Sequence, residues 1–133
     1  MDNKIVARYA DGHLAKGTTV DFLPGRDVFH VIDASAAAGT HPVEIRTRDL
    51  KALFFVKDRA GNPRREKPVA YHPPRPAIGR RIKVVFKDGE VLVGTTAGYQ
   101  PERPGFFLEP VDRTLNEERC YVVTRATRQI ILL

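Results

Sequence analysis

The chain has 133 residues, 42% of them hydrophobic and 29% charged, with a formal net charge of +6 and a pI near 9.8. That composition belongs to a soluble globular protein with room for one ordinary domain or two very small ones. No run approaches the roughly 20 apolar residues that a membrane helix needs, and Met1 to Gly12 lacks a basic stretch followed by an apolar one. The expectation is no membrane insertion, no secretion signal and a cytoplasmic location, and the single cysteine, Cys120, excludes an internal disulfide framework and a four-thiolate zinc site.

Taken in chain order, the first predicted strand holds Ile5, Ala7 and Tyr9, alternating with polar residues at the period of two that marks a half-buried strand. Asp11-Gly12 supplies a tight hairpin, and a second strand runs from Leu14 to Phe22 with Gly17 inside it as a bulge or bend. Further strands are predicted at Val28 to Ile32, Val43 to Thr47 and Leu53 to Val56. Residues 57–80 then change character. They hold seven basic and two acidic residues and five of the ten prolines, whereas residues 1–56 carry seven of each charge and residues 81–133 eight basic and seven acidic. Proline cannot donate to a sheet ladder and favours extended chain, so 57–80 reads as a basic, Pro-rich linker. Strands resume at Ile82 to Phe86, Val91 to Tyr99, Phe106 to Glu109, Tyr121 to Thr124 and Ile130 to Leu133.

The second set repeats the first. Sliding the chain by 77 positions aligns residues 4–56 with 81–133 without a gap, and 11 positions are identical, among them Asp11-Gly12 with Asp88-Gly89, Gly17 with Gly94, Arg26 with Arg103, and Thr47-Arg48 with Thr124-Arg125. Average composition would give about three. The expected fold is therefore all-β: two small SH3-like or Sm-like barrels, 1–56 and 81–133, arisen by internal duplication. Five short strands in so few residues bury too little surface to be stable alone, so the copies are expected to pack about a pseudo-two-fold axis, with the apolar final strand covered.

The stretch Val84-Val-Phe-Lys-Asp-Gly-Glu-Val-Leu-Val-Gly94 resembles the first motif of the Sm-like barrels, which bind RNA. The second Sm motif is replaced by Ile45-Arg46-Thr47-Arg48 and Val122-Val123-Thr124-Arg125. Over nearly the whole chain the sequence resembles an uncharacterised bacterial family of tandem small-barrel domains, through Asp49 to Asp58, Gly94 to Tyr99, Pro104 to Leu108 and Asn116 to Arg119. Members of that family often accompany bacterial signalling proteins. The resemblance implies an adaptor, with a response regulator or another signalling component as protein partner.

Chemistry-bearing motifs are sparse. His13, His30, His41 and His72 have no metal-ligand spacing, Ser35 sits in no nucleophile elbow, and Cys120 reads as a small apolar residue. Phosphate-binding glycine loops and the arginine and Asp-x-Ser signature of cyclic-di-GMP receptors are missing, so neither enzyme activity nor a cofactor is expected. Two binding candidates remain. Arg26 and Arg103 recur at equivalent loop positions, where a guanidinium either forks onto an acidic group or ties its loop to backbone carbonyls. Arg64, Arg65, Lys67 and Arg75 surround Tyr71 and His72 in the linker, a pattern that either meets an acidic partner or a nucleic-acid base or serves as a solvated tether. The leading expectation is a non-catalytic protein-interaction module, and the alternative is binding of RNA or single-stranded DNA.

Overall fold

The computed structural model describes residues 3–33, 41–56, 79–110 and 117–133. Alternating apolar residues form ten strands: β1 (Asn3–Tyr9), β2 (Leu14–Thr19), β3 (Val28–Asp33), β4 (Val43–Arg46), β5 (Leu50–Val56), β6 (Arg80–Phe86), β7 (Val91–Thr96), β8 (Gly105–Pro110), β9 (Glu117–Val123) and β10 (Thr127–Leu132). Single 3-10 turns at Thr47–Asp49 and Thr124–Ala126 link β4 to β5 and β9 to β10. Asn3, Leu14, Val28, Thr47 and Leu50 open their elements 77 residues before Arg80, Val91, Gly105, Thr124 and Thr127 open theirs. The protein is all-β, and its strands make one antiparallel sheet in the order β10-β6-β7-β8-β9-β5-β1-β2-β3-β4. No helix among the described residues is long and apolar enough to cross a membrane.

Local chemistry explains the turns and bends. Gly12 and Gly89 take φ of 102° and 95° in the β1–β2 and β6–β7 hairpins, a region that side-chain-bearing residues avoid. Gly94 has another reason to be glycine: a Cβ there would overlap the Glu109 carbonyl oxygen and stand 2.5 Å from Leu108 Cδ2, because the end of β8 pairs with β7 at this point, Gly94 opposite Pro110. β2 and β7 stop at Thr19 and Thr96, short of the expected Phe22 and Tyr99. The Thr19 hydroxyl donates to Asp21 and the Thr96 hydroxyl to the Phe107 carbonyl at 2.8 Å, so both segments turn out of the ladder there.

The core is divided in two, and β5 with β9 serves both parts. Leu53 and Phe55 face one cluster with Ile5, Phe29 and Ile45, while Ala52, Phe54 and Val56 face the other with Ile82, Val84 and Phe106. On β9, Tyr121 and Val123 join the first cluster and Cys120 and Val122 the second. β5 pairs with β9 from Ala52 opposite Val122 to Val56 opposite Glu117, which is why β9 begins earlier than the expected Tyr121. Every residue of β5 is buried, Lys51 included, as on a strand covered on both faces.

Two expectations are corrected by this seam. β5 corresponds by position to β10, and β9 to β4, so the halves meet through unlike strands. A two-fold axis would also require β4 to pair with β10, yet these lie at opposite ends of the sheet. The final strand is likewise an open edge, with Leu133 61% exposed. The linker candidates Arg64, Arg65, Lys67, Tyr71, His72 and Arg75 lie outside the described residues, as does Ser35, and Arg80 opens β6.

Candidate functional site

Each half builds the same corner. After β2 a loop turns through the Arg26 N–H, which donates to the Leu23 carbonyl at 3.1 Å, and after β7 the Arg103 N–H does the same to Gln100 at 3.1 Å. The 3-10 turn then clasps the loop, Thr47 N–H reaching the Asp27 carbonyl and Thr124 N–H the Pro104 carbonyl, both at 2.9 Å. In the first half Asp21 adds a brace. Its carboxylate accepts the His30 N–H at 2.9 Å and lies 2.8 Å from the His30 ring, while its carbonyl accepts Arg26 Nη1 at 3.3 Å. Burial alone would raise the Asp21 pKa, but the bonds from the His30 backbone and ring and from the Thr19 hydroxyl outweigh it and hold it below the usual carboxylate value.

These two corners face one cavity of about 600 Å3. The loops bring Arg26 and Arg103 to its wall, the 3-10 turns bring Arg48 and Arg125, and β4 adds Arg46. Val28, Pro104, Tyr121 and Val123 give it an apolar side, and among the described residues Asp27 and Glu44 are the carboxylates that line it. Among the described residues none of the five guanidinium groups is ion-paired with a carboxylate. Like charges gathered in one concavity raise its potential and attract an anion. A volume of this size lies within the range of small-ligand and side-chain pockets.

The cavity is a property of both halves together. Tyr121, 1% exposed, reaches from β9 into the first half, packing its ring against Phe22 at 5.1 Å and Phe107 at 5.3 Å between centroids. Burial pushes its hydroxyl pKa up, against the opposing pull of a hydrogen bond with the Gly25 backbone and the charge of Arg103. Its ring also dictates Gly105, where a Cβ would overlap both the ring and the Val122 carbonyl. At the corresponding positions of the first half stand Val28, larger than glycine, and Glu44, which is exposed. The Thr124 Oγ1 is buried in the cavity wall without a hydrogen-bond partner among the described residues, whereas its counterpart Thr47 donates to the Arg26 carbonyl at 3.0 Å.

Arg26 and Arg103 each tie down their own loop and line the cavity. Each spends one donor on its loop, Arg26 on the Asp21 carbonyl and Arg103 Nε on the Gln100 side chain at 2.8 Å, and each retains further donors toward the cavity. Arg46, Arg48 and Arg125 were not singled out by sequence reasoning as site residues, although the recurrence of Thr-Arg at 47–48 and 124–125 was the available signal. No three His, Cys, Asp or Glu side chains gather as a cation would need among the described residues, and Cys120 is buried in the core.

No curated protein and no solved structure matches the chain. A family model matches residues 1–133 in full, and the chain therefore belongs to DUF6982, a family of unknown function.

Proposed function

We propose that this protein is a non-catalytic adaptor, built as two small barrel-like halves, that docks an acidic segment of a cytoplasmic protein partner in the arginine-lined cavity. The family resemblance makes that partner a signalling component such as a response regulator. The observation that carries the reading is the convergence of Arg26, Arg48, Arg103 and Arg125 from equivalent corners onto one cavity beside an apolar wall, with no carboxylate ion-paired to them among the described residues. Guanidinium forks recognise carboxylates in pairs, and the apolar side would receive a neighbouring hydrophobic side chain. The unpartnered Thr124 hydroxyl offers a further hydrogen bond.

Nucleic acid is the second reading, favoured by the same positive charge. Among the described residues the one aromatic ring lining the cavity, Tyr121, is buried against other side chains and offers no open face for a base to stack on. Fluorescence anisotropy with a labelled Glu- and Leu-rich peptide and a labelled oligouridylate of equal charge separates the two. The peptide is expected to bind the intact chain and to lose affinity by at least about tenfold with Arg26→Ala and Arg103→Ala combined. Absence of peptide binding, or indifference to those substitutions, would sink the adaptor reading. Tighter oligouridylate binding with a steep salt dependence would install the second.

A further inference from the structure

The seam between the halves leaves unused the two strands that correspond to those it employs. It joins β5 of one half to β9 of the other, which correspond by position to β10 and β4, and these are the open ends of the ten-stranded sheet. An interface between unlike surfaces has no built-in stop: each unit added exposes the same pair of surfaces again, giving a ring if the rotation closes and a filament if it does not. We propose that the chain associates with further copies of itself head to tail, β10 of one copy pairing antiparallel with β4 of the next.

The side chains follow the backbone. In the existing seam Phe54 lies opposite Cys120, and carrying that register over sets Ile131 opposite Val43 of the next copy, two apolar residues, the second 55% exposed in the free chain. The seam is also latched by charge. Lys51 on β5 donates to Asp88 Oδ2 at 2.7 Å and to Glu90, both at the β6–β7 hairpin of the other half. The corresponding residues at the free ends are Arg128 and Asp11, both exposed and opposite in sign, while His13, which pairs with Asp11 in the free chain, stands in place of Glu90, so one of the two latch bonds is available between copies. One difference sets the strength. Glu44 and Arg46 occupy on β4 the positions that Tyr121 and Val123 fill on β9, so the edge offers two exposed charges where the seam has apolar side chains, and charges on an edge strand weaken its pairing. Association between copies is consequently reversible and concentration-dependent where the internal seam is permanent.

Sedimentation velocity on the intact protein, from low micromolar to near-millimolar concentration, tests this. The weight-average mass is expected to rise with concentration, and Ile131→Lys on one edge or Val43→Lys on the other to weaken association at least about tenfold. Mixing those two variants restores only a one-to-one pair, because each keeps one competent edge. Arg128→Glu and Asp11→Arg each weaken association alone and recover it when combined in one chain. Circular dichroism establishes that each variant remains folded. A monomeric mass at every concentration, association indifferent to the edge lysines, or failure of the charge exchange to restore it would overturn the proposal.

Discussion

Lys51 shows how one side chain joins the two halves. Its side chain is 9% exposed, its stem lies on the Phe86 ring with the ammonium 4.7 Å from the centroid, and both of its carboxylate partners belong to the β6–β7 hairpin. Burial works against the ammonium, but hydrogen bonds to Asp88 and Glu90 prevail and raise its pKa above the ordinary 10.5. The same bond from Lys51, with the Glu90 N–H, holds Asp88 below its ordinary 3.8. A raised lysine pKa gives stability that is complete below 10.5 and is lost as pH climbs through the folded value. A depressed Asp88 gives stability that is complete above 3.8 and is lost as pH falls through the folded value. The latch is thus intact at neutral pH. Lys51→Met keeps the stem and removes the charge, and should cost about 1–2 kcal/mol at pH 7, less than a fully buried pair because Asp88 and Glu90 are half exposed. Urea denaturation should show the gap between variant and parent closing as pH drops through the acidic range; a gap independent of pH would refute the ionic role.

At the scale of the element, β7 and β8 pair so closely at Gly94 that a methyl group has nowhere to go. Gly94→Ala should destabilise the protein by about 1–3 kcal/mol through displacement of the Glu109 carbonyl and the Leu108 side chain, and urea denaturation reads it directly. Unchanged stability would show that β8 can move aside from Gly94 without cost. Gly17 and Gly94 were legible in the sequence as bends because glycine inside an alternating strand has few other uses. The strands themselves were legible for the same reason: Ile5, Ala7 and Tyr9 on one side, and Ile82, Val84 and Phe86 on the other, alternate with polar neighbours. What periodicity could not reveal was which strands would pair across the halves. Leu53 to Val56 and Ile130 to Leu133 read alike as apolar runs, yet every residue of β5 is buried and every residue of β10 is half-buried or exposed. The difference was written elsewhere, in Tyr121 and Val123 standing where the first half has Glu44 and Arg46.

Across the whole molecule, the sharing of β5 and β9 between two cores turns two marginal units into one sheet and sets their like corners beside one cavity. Arg26 and Arg103 were visible in the sequence as a recurring pair, but a shift of 77 residues states that two positions are equivalent and says nothing about their distance in space. Convergence required the seam, and with it came Arg46, Arg48 and Arg125. In the proposed function, one acidic ligand engages arginines of both halves at once. The most direct measurement is a titration of the isotope-labelled protein with the Glu- and Leu-rich peptide, followed by NMR at the arginine side-chain Nε–H groups and the backbone N–H groups of Thr47 and Thr124. The account predicts that signals of Arg26, Arg48, Arg103 and Arg125 shift together and saturate at one peptide per chain. Shifts confined to one half, or centred on residues outside the cavity, would contradict it.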